Sequence, residues 1–301
     1  MTTDFPFSPP SSPDLLHEEG KDFVVGVWMN DSKFSKLPIK QLSQHINILR
    51  VSTVEEAMQC SLLLHKVLDK DVAVISDLSI LNRHPGLLYP LESVVVLNNR
   101  RETIQRLLEL RPKELNMWKV PETVDYNTAV KEAPRVQFPL IAKPESACSD
   151  PHSHTLHLVT SLEQLWNLPN GSFILQRFIH HSSLLLKVYI IGDSIDIILK
   201  ASLSQDSFDT DHPVVFDSQS LKQLERPFCD STQFGLEKIC VIARDIQQHF
   251  ALDLLGVDMI VEEGTSQIYV VDVNYFPGFS GVHDLDGMLL RLLLKEKDRI
   301  K

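Results

Sequence analysis

Near its C-terminal end the chain carries two apolar runs, residues 255–262 (LGVDMIVE) and 267–274 (QIYVVDVN), on either side of a turn around Gly264. Runs of this length, rich in β-branched residues and separated by a glycine-containing turn, predict an antiparallel hairpin. Each run holds acid where an apolar residue would pack better: Asp258 in the first, Asp272 followed by Asn274 in the second. Side chains alternate along a strand, so positions 272 and 274 face the same way. A turn centred at 264–265 sets Asp258 beside Asp272 or within one residue of it. Two carboxylates side by side on neighbouring strands repel. A hard cation such as Mg²⁺, which takes oxygen ligands and arrives with substrate phosphates, would explain the pairing. Polar strand-end groups in a solvated hairpin are the alternative that the spacing leaves open.

The rest of the sequence divides into stretches of different character. Residues 1–21 are rich in proline, serine and acid without periodicity and read as a mobile tail. From residue 22, strand-like 23–29 (FVVGVWM), 71–76 and 93–97 alternate with helical 54–68 and 101–110, Thr53 serving as N-cap to the first helix. This alternation predicts a small parallel-sheet α/β domain over residues 22–115. Strands then follow at 137–143, 155–159, 173–179 and 184–191, with a helix at 161–168. Gly192-Asp193 separates LLLKVYII from SIDIILK as a two-residue hairpin turn does. The polar stretch 204–223 reads as a long loop, and helices are expected at 232–250 and 284–297. The mixture is an α+β body, with a central lobe at 116–180 and a C-terminal lobe at 181–301.

Three lysines lie inside or at the end of apolar strands: Lys143 in QFPLIAK, Lys187 in LLLKVYII and Lys200 in IDIILK. A buried ammonium needs a partner, and phosphate groups are one; edge lysines that discourage sheet association, or that snorkel to water, are the other reading. Directly after Lys143 comes Cys148-Ser-Asp-Pro-His-Ser-His154. Small polar residues and a histidine between strands suit a loop over phosphates. Walker A, GxGxxG and GxSxG patterns are all missing from the sequence, which removes P-loop, Rossmann and the commonest serine-hydrolase chemistry. The formal charge of −11 argues against nucleic acid as a partner and requires any cations that meet an anionic ligand to be local. The scattered cysteines fit neither a zinc site nor a disulfide framework, and no apolar run is long enough for a membrane helix. A cytoplasmic protein that does not use membranes is the expectation.

In this order the elements resemble the ATP-grasp enzymes, and within them the inositol 1,3,4-trisphosphate 5/6-kinase family. The likeness rests on Asp272-Val-Asn-Tyr-Phe-Pro-Gly278 with Leu255-Gly-Val-Asp258 before it, on Gln176-Arg-Phe-Ile-His-His181, on Lys187-Val-Tyr-Ile-Ile-Gly192 and on Lys200-Ala-Ser-Leu203. At the N-terminus it includes Gly26-Val-Trp28 followed by Lys33 and Lys36-Leu37. The resemblance implies an ATP-grasp fold and an Mg-ATP-dependent kinase, with two magnesium ions held by Asp258, Asp272 and Asn274. It implies that Lys143 and Lys187 hold ATP phosphates, that Gln176 with the backbone of Phe178 and Ile179 forms an adenine hinge, and that Ser202 and Ser218 lie on the ATP side. Lys33, His154, Lys187, Asn274 and Gly278 would meet the inositol phosphate, and Lys187, His154 and Asp272 would carry the chemistry. The substrates implied are ATP with inositol 1,3,4-trisphosphate, and with related compounds such as the 3,4,5,6-tetrakisphosphate, handled by a monomer. Three departures stand out. The loop at 147–154 has no glycine and contains a proline; the family's Leu-Leu-Asp-Arg reads Leu107-Leu108-Glu109-Leu110, with Arg111 next; and Lys222 replaces a serine. A carboxylate ligase of the same fold, and a catalytically weak nucleotide or inositol phosphate binder, are the competing readings.

Overall fold

The computed structural model describes residues 23–66, 78–110, 117–131, 137–147, 152–203, 208, 214–218, 220–224 and 235–300. The expected N-terminal tail and the strand expected at 71–76 lie outside the described residues.

The chain begins with strand β1 (Val24–Trp28), then the short helices α1 (Asp31–Phe34) and α2 (Ile39–Leu42), strand β2 (Asn47–Arg50), helix α3 (Val54–Met58) and strand β3 (Leu62–His65). These strands form a parallel sheet in the order β2-β1-β3; a parallel sheet is what the sequence predicts here, but of its three strands only β1 falls in a run read as a strand. The helix expected over 54–68 is a correction. Thr53 and Glu56 close a capping box that starts α3, but the helix ends at Met58 and residues 62–65 pair with β1. All four of those residues are buried. A continuous apolar run suits a parallel strand covered on both faces, whereas a helix would leave part of it in water.

Helices α4 (Leu91–Asn98) and α5 (Arg100–Glu109) follow. The strand expected at 93–97 is therefore a second correction. Leu91, Val94 and Leu97 are buried while Val95 is 47% exposed, which is helical periodicity. Packing here overrides the β-propensity of three consecutive valines.

Two five-stranded sheets make up the rest. The chain passes through β4 (Trp118–Lys119), β5 (Thr123–Asp125), α6 (Tyr126–Lys131), β6 (Leu140–Pro144), β7 (Thr155–Val159), α7 (Leu162–Trp166) and β8 (Phe173–Arg177). It continues through β9 (Leu184–Ile191), β10 (Ser194–Ala201), β11 (Val214–Asp217), α8 (Leu236–Phe250), β12 (Leu254–Val261), β13 (Ile268–Tyr275) and α9 (Leu285–Ile300). The central sheet runs β11-β7-β6-β8-β5 and the C-terminal sheet β10-β9-β12-β13-β4. Strand β11 falls within the stretch read as a loop. It is a four-residue edge strand with every second residue exposed, too short to stand out among polar neighbours. The hairpins predicted at Gly192 and Gly264 both form, with positive φ at each glycine. Apolar faces of α8 (Ile239, Ile242, Ile246) and α9 (Leu289, Leu292, Leu293) join the buried faces of β9, β12 and β13 in the main core.

Candidate active site

The hairpin β12–β13 pairs Asp258 directly with Asp272, and a bulge follows between Asp258 and Met259. On the other side of β12, Asp258 pairs with Lys187 of β9. Register alone therefore lines up Lys187, Asp258 and Asp272 as one row across three strands. Lys187 Nζ donates to Asp258 Oδ2 at 3.0 Å, and Asn274 Nδ2 donates to Asp272 Oδ2 at 3.0 Å. The second oxygen of Asp258, Oδ1, is buried without a hydrogen-bond partner. Burial pushes the Asp258 carboxyl above the usual carboxylate range, against the pull of Lys187. Burial acts on Asp272 in the same direction but is outweighed by Arg100, Lys143 and the Asn274 amide, which hold it below that range. For Lys187, burial disfavours the charge, yet Asp258 and its neighbours raise the pKa on balance. An orphaned carboxylate oxygen next to a second carboxylate and an amide oxygen is a donor set that fits a hard divalent cation. Among the described residues no three His, Cys, Asp or Glu side chains gather.

Lys143 enters the same space from the opposite sheet. It is 7% exposed, and its Nζ donates to Gln176 Oε1 at 2.6 Å and to the carbonyl of Val271 at 2.8 Å, one residue before Asp272. Gln176 is braced in turn by Thr123 Oγ1 at 3.3 Å. Burial, reinforced by Arg100 and opposed by Asp272 and Asp258, brings the Lys143 pKa down to about 8. Arg100, Lys143, Gln176, Val271 and Asp272 line one cleft.

Arg100 is a residue that sequence reasoning missed. It begins α5 directly after the N-cap Asn99, and its guanidinium donates to the carbonyls of Pro144 (2.7 Å), Ser146 (2.9 Å) and Ser153 (3.0 Å). The resemblance directed attention to position 110, and Arg111 lies outside the described residues. The available signal was an arginine in the first turn of a helix, where a cation opposes the helix dipole and needs another reason to be there.

The remaining expected residues fall into groups. His154 is half-buried; burial lowers its pKa, Arg100 and Lys33 add to that effect, and Asp272 and Asp217 oppose it. His154 and Lys33 thus share one electrostatic environment with the carboxylate row, although Lys33 stands on α1. The Ser218 amide donates to the His154 carbonyl at 3.0 Å. Lys66, also missed, donates to the carbonyls of Phe276 (2.6 Å) and Tyr275 (3.3 Å), ahead of Gly278. Gly278 is exposed, and a Cβ there would meet nothing within 4 Å, so the loop borders open space. Phe178 and Ile179 are buried after β8, the Phe178 amide donating to the Pro139 carbonyl. Ser202 is hydrogen-bonded to His181 beside them. Lys200 is buried on β10, with its pKa lowered by burial and by Lys187.

Two sheets that close on a cleft, one carrying Lys143 and the other a carboxylate hairpin, define an ATP-grasp protein. Solved structures agree on the fold. N5-carboxyaminoimidazole synthetase from Staphylococcus aureus superposes with a TM-score of 0.61 at 11% identity, over 90% of this chain and 77% of that one. The RimK domain ATP-grasp protein from Sphaerobacter thermophilus gives 0.57 at 14% identity, over 90% and 99%. The chain belongs to the inositol 1,3,4-trisphosphate 5/6-kinase family, whose ATP-grasp domain matches residues 110–295, and so to a family of ATP-dependent kinases. It is 24% identical to inositol-tetrakisphosphate 1-kinase of Xenopus laevis, over 86% of this chain and 75% of that protein. It is 25% identical to inositol-tetrakisphosphate 1-kinase 1 of Oryza sativa subsp. indica, over 96% and 90%. No helix among the described residues is long and apolar enough to cross a membrane.

Proposed function

We propose that the protein transfers the γ-phosphoryl group of Mg-ATP to a hydroxyl of an inositol polyphosphate. The substrates are inositol 1,3,4-trisphosphate, at its 5- or 6-hydroxyl, and relatives such as the 3,4,5,6-tetrakisphosphate, at its 1-hydroxyl. The observation that carries this reading is the Lys187–Asp258–Asp272 row, with its unpartnered Asp258 oxygen and with Asp272 on the cleft that Lys143 enters from the other sheet. Asp258, Asp272 and Asn274 are the residues that would hold magnesium, two ions being the family's implication. The bound metal would neutralise charge on the transferring phosphoryl group.

The chain's own groups do the rest by position and charge. Lys143 and Lys187 sit to hold phosphate oxygens, and Gln176 aims Lys143. Phe178 and Ile179 provide the hinge for the base, and Ser202 and Ser218 flank the nucleotide. Lys33, His154, Asn274 and the open surface at Gly278 form the inositol phosphate side, with Lys66 as a further cation. Burial and neighbouring cations lower the His154 pKa, and in this reading the imidazole orients or neutralises a substrate phosphate. In this reading the lobes at 22–115, 116–180 and 181–301 work as a cytoplasmic monomer, with β4 contributed to the C-terminal sheet and β11 to the central one.

The test is a product assay with purified protein, Mg-ATP and inositol 1,3,4-trisphosphate, the products being separated by anion exchange. New tetrakisphosphate peaks that disappear with EDTA are expected. Asp272→Asn should lower turnover by more than the roughly 10–100-fold typical of groups that only support a metal ligand, with an unchanged far-UV spectrum. An unchanged rate would remove the metal assignment. ATP binding without any product would make the protein a binder.

A further inference from the structure

The segment that follows β13, Phe276-Pro-Gly-Phe279, carries Gly278 on the side read as meeting the inositol phosphate. Two of its residues hold a backbone that suits glycine: φ is +37° at Phe276 and +49° at Phe279. A bulky side chain at positive φ is strained, and the strain persists only where the surroundings over-determine it. Both rings are buried, 3% and 2% exposed, and their centroids lie 6.1 Å apart. The burial of these two rings therefore holds the turn that presents Gly278.

The groups that bury them come from two lobes. On the C-terminal sheet, Phe279 packs at 5.7 Å on Tyr189, which shares a strand face with Lys187. The Phe276 amide donates to the Leu254 carbonyl at 2.8 Å, and a Cβ on Gly256 would meet the Pro277 ring at 3.2 Å. From the N-terminal lobe, Tyr89 sets its ring edge-on, 6.5 Å from Phe276 and 6.2 Å from Tyr275. Tyr89 is itself fixed, since its hydroxyl donates to the His65 carbonyl and accepts from the His65 amide at 3.0 Å. The next residue, Lys66, holds the carbonyls of Tyr275 and Phe276. One hydroxyl thus ties together the ring and the strand end that both reach the start of this turn.

We propose that Tyr89 is a positioning residue for the phosphoryl acceptor: docked on the end of β3 through its hydroxyl, it holds Phe276 and so keeps the turn at 276–279 in the form that binds inositol phosphate. The inference rests on the reading of Gly278 and its neighbours as the inositol phosphate side. Tyr89 is 1% exposed, so it acts through Phe276 and Lys66 and not by touching a ligand. A turn that is in its competent form only part of the time weakens apparent affinity by that fraction. Tyr89 therefore bears on KM for the acceptor, and leaves nucleotide affinity and the rate at saturation alone.

Two variants of the full chain test it. Tyr89→Phe keeps the ring and loses the hydroxyl; Tyr89→Leu loses both. Tyr89→Phe should raise KM for inositol 1,3,4-trisphosphate about three- to tenfold, the worth of one hydrogen bond, and Tyr89→Leu should raise it further. In both, kcat and the calorimetric affinity for Mg-ATP should stay within about twofold of the wild type, a split that general destabilisation does not produce. An unchanged KM in Tyr89→Phe and Tyr89→Leu, or a matching loss of Mg-ATP affinity, overturns the proposal. Should Tyr89→Leu not fold, the near-isosteric Tyr89→Phe decides. Hydrogen exchange at the Phe276 amide reads the same device without a substrate: in Tyr89→Phe it should speed up relative to the β12–β13 hairpin, and equal protection overturns the proposal. A wild type that makes no product from inositol 1,3,4-trisphosphate would instead bring down the acceptor reading, while the exchange result would still show whether Tyr89 holds the turn.

Discussion

Single side chains at this site are defined by what burial forces on them. Lys143 has a pKa of about 8 against an ordinary 10.5, because its ammonium is desolvated and shares its surroundings with Arg100. Between those values the unfolded chain keeps a proton that the folded chain has released, so stability contributed by this group rises with pH through that window and is lowest below about pH 8. A polyanionic ligand reverses the preference by stabilising the ammonium. ATP binding near pH 8 to 9 is therefore expected to take up a proton, seen as a binding enthalpy that depends on the buffer's ionisation heat. Lys143→Met should abolish the buffer dependence; its persistence would assign the proton elsewhere. On the substrate side, His154→Ala should weaken inositol phosphate binding more than ATP binding in a titration, and the opposite order would refute its placement.

At the scale of elements, β3 places His65 in full burial, 0% exposed, with neither ring nitrogen hydrogen-bonded. Its backbone is satisfied by the Tyr89 hydroxyl, which both donates to its carbonyl and accepts from its amide. Burial lowers the ring pKa to about 3 from 6.5. The unfolded chain protonates below pH 6.5 and the folded one does not, so stability falls as pH drops from about 6.5 towards 3, by up to about 1.4 kcal/mol per pH unit. His65→Leu should flatten this acid limb in urea unfolding at pH 7 and pH 4.5; an unaltered slope would mean that other groups carry it. The same region shows how close the chain runs. A Cβ on Gly86 would sit 1.9 Å from the Ser61 carbonyl oxygen, and backbone must move to admit it. Gly86→Ala should cost at least the ~1–3 kcal/mol usual for overpacking, as a lowered denaturation midpoint.

At the scale of the whole molecule, the site is assembled where three sheets' worth of chain converge. Arg100 is the fastener, since one guanidinium from α5 holds carbonyls on both stems of the loop between β6 and β7. Around it, the Arg100 amide donates to the Glu145 carbonyl, the Ala147 amide to the Asn98 carbonyl, and Arg101 Nε to Glu145 Oε1 at 3.0 Å. Arg100→Met would leave three carbonyls without their donor. Hydrogen exchange at the Thr155 amide, which donates to the His152 carbonyl, should then speed up well before that of the β12–β13 hairpin. Equal protection in both proteins would show that the loop does not depend on this contact.

The sequence by itself determined the parts whose physics is local. Alternation along two strands and the glycines between them predict the hairpins at Gly192 and Gly264, and with the second hairpin the pairing of Asp258 with Asp272 to within a residue. Thr53 and Glu56 likewise start a helix where the capping box predicts one. Tertiary structure decided what depends on partners distant in sequence. Residues 62–65 and 93–97 are both apolar and β-branched or leucine-rich, and only their neighbours make one a buried parallel strand and the other a helix. The recruitment of Arg100, the bracing of Lys143 by Gln176, and the His181–Ser202 bond are likewise contacts between elements, invisible to periodicity because a hydrogen bond formed across 21 to 53 residues leaves no local pattern. Local propensity is written into each short window of sequence, whereas burial, and the charges and protonation states it sets, exists only once distant windows have packed together.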